Sequence, residues 1–126
     1  MIALNKENVL SVHALLAERT GGGVGVRDVG LIESALGSVY QSFDGVDLYP
    51  TVEEKGARLG FALISNHAFV DGNKRVGLLV MLTFLAISGA PVRASDDELV
   101  DVTLAVASGG AGYSDLLDWV RSHVEK

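Results

Sequence analysis

A chain of 126 residues, 48% hydrophobic and 21% charged, has the size and composition of one soluble globular domain spanning residues 1–126 and burying about two-thirds of its unfolded surface. A formal net charge of −6 excludes a broad nucleic-acid-binding face, which would need many cations to neutralise phosphates, but leaves room for a nucleotide held by local donors. The absence of cysteine excludes disulfides, thiolate metal sites and a thiol nucleophile.

The elements expected in chain order are helical, and strand signals are poor. Asn5 is placed to cap a first helix carrying Val9, Leu10, Val12, Leu15 and Leu16, which must end before Gly21-Gly22-Gly23. A second helix runs from Asp28 to about Tyr40 with Leu31, Ile32, Ala35, Leu36 and Val39 on its apolar side. After a loop through Asp44-Gly45 and Tyr49-Pro50, Thr51 and Glu54 have the spacing of a capping box that opens a third helix, reaching about His67. Gly56 and Gly60 in that helix suggest close approach of a neighbour. The fourth helix, about Asn73 to Ser88, is apolar nearly all round after its first turn, as a central helix wrapped by others should be, and Gly89 stops it.

Ser95 and Glu98 form a second capping box, opening a helix with Leu99, Val100, Val102, Leu104 and Val106 that ends at Gly109-Gly110. A last helix begins at Tyr113 or Ser114 and runs through Leu116, Leu117, Trp119 and Val120. The fold class is therefore all-α, a compact bundle of about six helices around the fourth. The longest strongly apolar run, Val76 to Ile87, is too short to span a bilayer, and Met1 to Glu7 shows no basic stretch leading into an apolar one. A cytoplasmic protein with no membrane partner is expected.

The chemistry gathers in His67-Ala68-Phe69-Val70-Asp71-Gly72-Asn73-Lys74-Arg75, between the third and fourth helices. An unperturbed imidazole titrates near 6.5, so His67 can act as a general base. Asp71 is a hard oxygen ligand suited to Mg²⁺ shared with phosphate. Gly72 lets an anion reach the main chain, and the N–H groups of a helix starting at Asn73 point at such an anion. Lys74 supplies a mobile charge and Arg75 a planar fork. Two cations in the first turn oppose the helix dipole, and that conflict itself calls for an anion. Phe69 is expected to plug into the core and fix the loop.

This string closely resembles the active-site loop of the Fic/Doc family, H-x-F-x-D/E-G-N-x-R. Lys74, where adenylyltransferases of the family usually carry glycine, resembles the Doc (death on curing) branch, as do Gly30 to Leu36 and Asp47-Leu48-Tyr49-Pro50-Thr51. The resemblance implies the Fic/Doc fold. It also implies His67 as base, Asp71 as ligand for Mg²⁺, and Gly72, Asn73, Lys74 and Arg75 as the cradle of ATP. The activity it implies is that of a toxin transferring phosphate from ATP to a protein hydroxyl, a threonine of elongation factor Tu. Two departures, Ala68 for the usual proline and Leu78 for a second arginine, weaken the case for the nucleotide pose used in adenylylation. Adenylylation nevertheless stays open as an alternative, as does a non-catalytic anion- or nucleotide-binding module. With no match to the S/T-x-x-x-E-G/N inhibitory helix, restraint is expected from a cognate antitoxin whose disordered tail folds into a groove, and no direct nucleic-acid contact is expected.

Other residues read more plainly. His13 is expected to be a half-buried structural histidine, His123 to lie in a frayable tail, and Gly21 to Gly25 to form a flexible connection. Asp96, Asp97, Glu98 and Asp101 suit a helix start rather than a metal. Arg27 and Glu33 read as a buried structural pair, and Trp119 with Tyr113 as packing for the last helix.

Overall fold

Six α-helices and one two-stranded hairpin make up the described residues: α1 (Lys6–Thr20), α2 (Val29–Ser38), β1 (Ser42–Phe43), β2 (Val46–Asp47), α3 (Val52–Ser65), α4 (Asn73–Ile87), α5 (Asp96–Ala107) and α6 (Tyr113–His123). The structure is a computed structural model and describes residues 4–20, 28–66 and 73–125. The all-α bundle expected from periodicity is what forms, and α4 is central. Its Val76, Val80, Met81, Phe84 and Leu85 are buried against Leu59, Leu63 and Ile64 of α3, with Val9, Ile32, Val39, Leu116 and Val120 closing the core. Full burial of each such side chain contributes about 1.5–3 kcal/mol.

The α3/α4 contact is unusually close, and glycine is the reason. A Cβ on Gly56 would lie 2.5 Å from Leu85 Cδ2, and one on Gly60 would lie 2.6 Å from Met81 Sδ. A Cβ on Gly77 would lie 2.5 Å from Ile64 Cγ1 and 2.9 Å from the Ile64 backbone nitrogen. The contacts pair rising numbers in α3 with falling numbers in α4, so the two helices are antiparallel. The last turn of α3 thereby meets the first turn of α4.

Local chemistry explains where the helices start and stop. Asn5 caps α1 and Asn8 answers it, each side-chain oxygen accepting the other's backbone N–H at 2.9 Å. Asp28 caps α2 by accepting from Gly30 N–H, and Ser95 with Glu98 completes the expected capping box of α5. At α3 only half of the expected box forms. Thr51 Oγ1 accepts from Glu54 N–H, but the Glu54 carboxylate accepts the Thr51 hydroxyl rather than its backbone N–H. Gly89 ends α4 at φ 89°, with Ala90 N–H donating to Leu85 O at 2.8 Å.

Three expectations are corrected. The loop through Asp44-Gly45 is a tight antiparallel hairpin, pairing Ser42 with Asp47 and Phe43 with Val46. Asp44 and Gly45 both have positive φ, at 54° and 79°, as a two-residue hairpin turn requires. The fourth helix is not wrapped all round: α1, α3 and α5 cover it, while Leu79 and Ile87 stay 38% and 40% exposed. His123 is not in a fraying tail. Its ring stacks on Trp119 at 4.2 Å, its Nδ1 lies 2.7 Å from Trp119 O, and its Nε2 lies 2.6 Å from Glu98 Oε2. The chain beyond it is fastened as well, with Glu125 N–H donating to Pro91 O and Arg93 N–H to His123 O, both at 2.8 Å.

Gly77→Ala should destabilise the protein by about 1–3 kcal/mol in urea unfolding, because the rigid neighbour is Ile64 backbone and overpacking outweighs the gain in helix propensity. Gly37→Ala, in α2 with nothing within 4 Å of the added methyl, should instead stabilise by about 0.5–1 kcal/mol. Equal effects at the two positions would contradict the close-approach account.

The His123–Glu98 contact carries a pH signature. The Trp119 carbonyl, and then Glu98, raise the His123 pKa above its ordinary 6.5. The Ser95 backbone N–H, then His123 and the Ser95 hydroxyl, hold Glu98 down to about 2. The histidine's contribution is present below 6.5 and fades as pH rises through its raised value. The carboxylate's is present above its ordinary 4.5 and fades as pH falls toward 2. Melting curves of His123→Gln should therefore fall furthest below those of the native chain between about 4.5 and 6.5, and the gap should narrow on the alkaline side. A gap constant across pH would rule this out.

Candidate active site at the α3/α4 junction

Two helix ends frame the motif. Asn66 caps the C-terminus of α3, its N–H donating to Ala62 O at 2.9 Å, and its side-chain amide donates to Leu31 O of α2 at 2.9 Å. That second bond ties the end of α3 to a neighbouring helix. On the other side, α4 opens at Asn73, and Gly77 sits against Ile64 one turn further in. The segment 67–72 thus joins two helix ends that are held in contact. His67, Asp71 and Gly72, with Ala68, Phe69 and Val70, lie outside the described residues, as do Gly21 to Gly25 and Arg27.

Asn73, Lys74 and Arg75 are described, and they form the first turn of α4 as expected. Asn73 is half-buried and Lys74 and Arg75 are exposed. The turn contains no acid. Among the described residues no carboxylate lies within ion-pair distance of either cation. The first N–H groups of a helix have no intrahelical acceptor, and the dipole adds partial positive charge at that end. Two cations placed there repel the dipole unless an anion joins them. The arrangement therefore suits a phosphate-bearing ligand. A triphosphate fits the residues present, since donors and positive charge converge on one helix end.

At the other end of α3 the structure ties down side chains that periodicity alone did not single out. Lys55 is buried, and its Nζ donates to the Tyr49 carbonyl, fastening the 48–50 loop to α3. Tyr49 meets Tyr113 edge-on at 5.4 Å, and the Tyr113 hydroxyl donates to Glu54 O at 3.3 Å. Burial raises the Tyr113 pKa. Arg58 lies over the Tyr49 ring at 5.8 Å and the Phe61 ring at 6.0 Å. The available signal was position. Lys55 falls on the stripe of Val52 and Leu59, where a cation needs a specific acceptor.

The remaining candidates are structural. His13 is almost fully buried, at 3% exposure, rather than half-buried. Glu33 is exposed and lies 3.7 Å from Lys6, so it is not half of a buried pair. Trp119 and Tyr113 both pack α6 against the core as expected, Trp119 also stacking on His123 and Tyr113 meeting Tyr49 edge-on. Glu98 is engaged in capping α5 and in holding His123. Among the described residues there is no cluster of three or more histidine and acidic side chains that could hold a metal. No described helix is long and apolar enough to cross a membrane.

A sequence model described as Fic/DOC family matches residues 3–85. The chain is 39% identical over 94 residues to "Toxin Doc" of Mycolicibacterium smegmatis, covering 75% of this chain and 70% of that protein. It is 31% identical over 118 residues to "Protein kinase doc" of Escherichia phage P1, covering 94% and 92% of the two chains.

Proposed function

The chain belongs to the Fic/Doc family, and from that premise we propose that it is a Doc-type toxin that transfers phosphate from ATP to a protein hydroxyl and so inhibits translation. The observation that carries the kinase reading is the similarity to the phage protein named a protein kinase, which runs through 94% of this chain. Lys74 in place of glycine supports the same branch. The expected acceptor is a threonine of elongation factor Tu, and the expected setting is the cytoplasm.

In this reading His67 takes the proton of the attacking hydroxyl, whose oxygen forms a bond to the γ-phosphorus as the bond to ADP breaks. The N–H groups at Gly72 and Asn73, with Lys74 and Arg75, bind and orient the phosphates and stabilise the charge that grows on them. Asp71 would hold Mg²⁺, which supplies charge neutralisation between phosphates. The contact of Ile64 with Gly77 keeps both ends of the motif in register, which matters because phosphoryl transfer relies mainly on positioning.

Restraint by a second chain completes the proposal. The exposed apolar groove between α1 and α4, about 280 Å³, is lined by Val12, Leu15, Leu16, Arg19, Leu79 and Thr83. Leu15 in it is 57% exposed. An amphipathic segment of an antitoxin, disordered when free and acidic where it meets Arg19, has the complementary chemistry.

Parallel incubations of elongation factor Tu with α- and γ-labelled ATP test the activity. Label should transfer only from the γ position, and His67→Ala should lower the rate at least about 10²-fold, the scale of a lost general base. Retention of α label alone would replace phosphorylation by adenylylation. Asp71→Ala should abolish metal dependence, and Lys74→Gly should shift transfer toward the α-labelled product. For the groove, Leu15→Asp combined with Leu79→Asp should leave transfer intact but weaken neutralisation by the antitoxin by about tenfold or more in co-expression or titration. Unchanged neutralisation would move the antitoxin to another face.

A further inference from the structure

A second opening lies between α2 and α3, reaching the C-terminal end of α3 and not lined by Lys74 or Arg75. It is a cleft of about 250 Å³ with Leu31, Ala35 and Phe61 as apolar wall, Ser34 and Ser65 as hydroxyls, and Asn66 at the end leading to His67. Arg58 projects into it. The Arg58 Nε is shut off from solvent and has no hydrogen-bond partner, so a guest from outside would be met by the terminal nitrogens of the guanidinium. Among the described residues no carboxylate lies within ion-pair distance of this guanidinium, although acids outnumber basic residues by 16 to 10 along the chain. The want of a partner is therefore not a want of acids.

From these features we infer that the Arg58 cleft is a receptor for a single carboxylate, the side chain of one aspartate or glutamate on a bound polypeptide. A guanidinium donates only within its own plane, while Tyr49 and Phe61 lie within cation–π range and limit how it can turn. Such a fixed fork matches the two oxygens of a carboxylate. A triphosphate is the wrong guest. The cleft offers one cation against several negative charges, and the nearby Lys55 is committed to the Tyr49 carbonyl. Its volume holds a side chain or two, and the apolar wall would take a hydrophobic neighbour of the acid. Asn66 lines the cleft, so a peptide anchored there lies against the C-terminal end of α3. The inference stands on the cleft alone and does not require the phosphotransfer reading.

The test is a nuclear magnetic resonance titration of the full chain, following the Arg58 Nε–H signal. Three probes are used: the blocked pentapeptide Ala-Leu-Glu-Leu-Ala, its glutamine counterpart, and inorganic phosphate. The glutamate peptide should give a saturable shift at millimolar concentration, about tenfold tighter than the glutamine peptide, and phosphate should give none. In Arg58→Lys, which keeps the charge but loses the fork, the preference for glutamate should disappear. Equal responses to both peptides, saturation by phosphate, or no response from the folded native chain would each overturn the inference. None of these outcomes depends on ATP or on transfer activity, so a failed kinase assay leaves this result readable.

Discussion

The positions of Gly56, Gly60 and Gly77 determine how near α3 and α4 can come, and most of the molecule depends on that distance. Helices usually pack about 8–10 Å apart, with side chains setting the spacing. Here Leu85, Met81 and Ile64 each fill the space that a Cβ on the opposing glycine would occupy. Interdigitation of this kind buries α4's inner face. It also holds the end of one helix to the start of the next.

Charge is distributed with similar economy. Lys6, Arg93 and Arg121 lie near Glu33, Glu125 and Glu54, and Lys55 is bound to a carbonyl. Lys74, Arg75, Arg58 and Arg19 have no carboxylate partner among the described residues. In a chain of net charge −6, acidic side chains are plentiful, yet these cations stand without one among the described residues. The two sets differ in kind. Lys74 and Arg75 are exposed in the first turn of α4, whereas Arg58 lies against the Tyr49 and Phe61 rings.

Much of this was legible before any coordinates. Capping residues Asn5, Asp28, Thr51 and Ser95 and the stop at Gly89 each announce a helix boundary through short-range hydrogen bonding, which depends on few neighbours. The four-residue spacing of Gly56 and Gly60 signalled close approach. What escaped depends on residues distant in sequence. The open side of α4 reflects which helices reach it, and its apolar composition alone does not reveal a gap at Leu79. His123 read as a loose end because Glu98 and Pro91, which hold that region, precede it by many residues. Of the site, the first turn of α4 was legible from residue types. Arg58 was not, since its meaning depends on Tyr49 and on the hollow beside α2. The hairpin at Asp44-Gly45 had a recognisable turn but strands of two residues, too short for alternation to register.

The fastening of residues 123–125 onto 91–93 has an implication for the order of assembly. Tyr113 and Arg121 reach the first turn of α3 through the Glu54 carbonyl and carboxylate, so α6 braces the helix whose far end leads into the motif. A nascent chain that has emerged only as far as α4 contains every residue of the motif, yet lacks that brace and the strap that keeps α5 and α6 in place. The brace and the strap both close only once the chain through Glu125 is present, so a product truncated before it would present those residues on a scaffold lacking both.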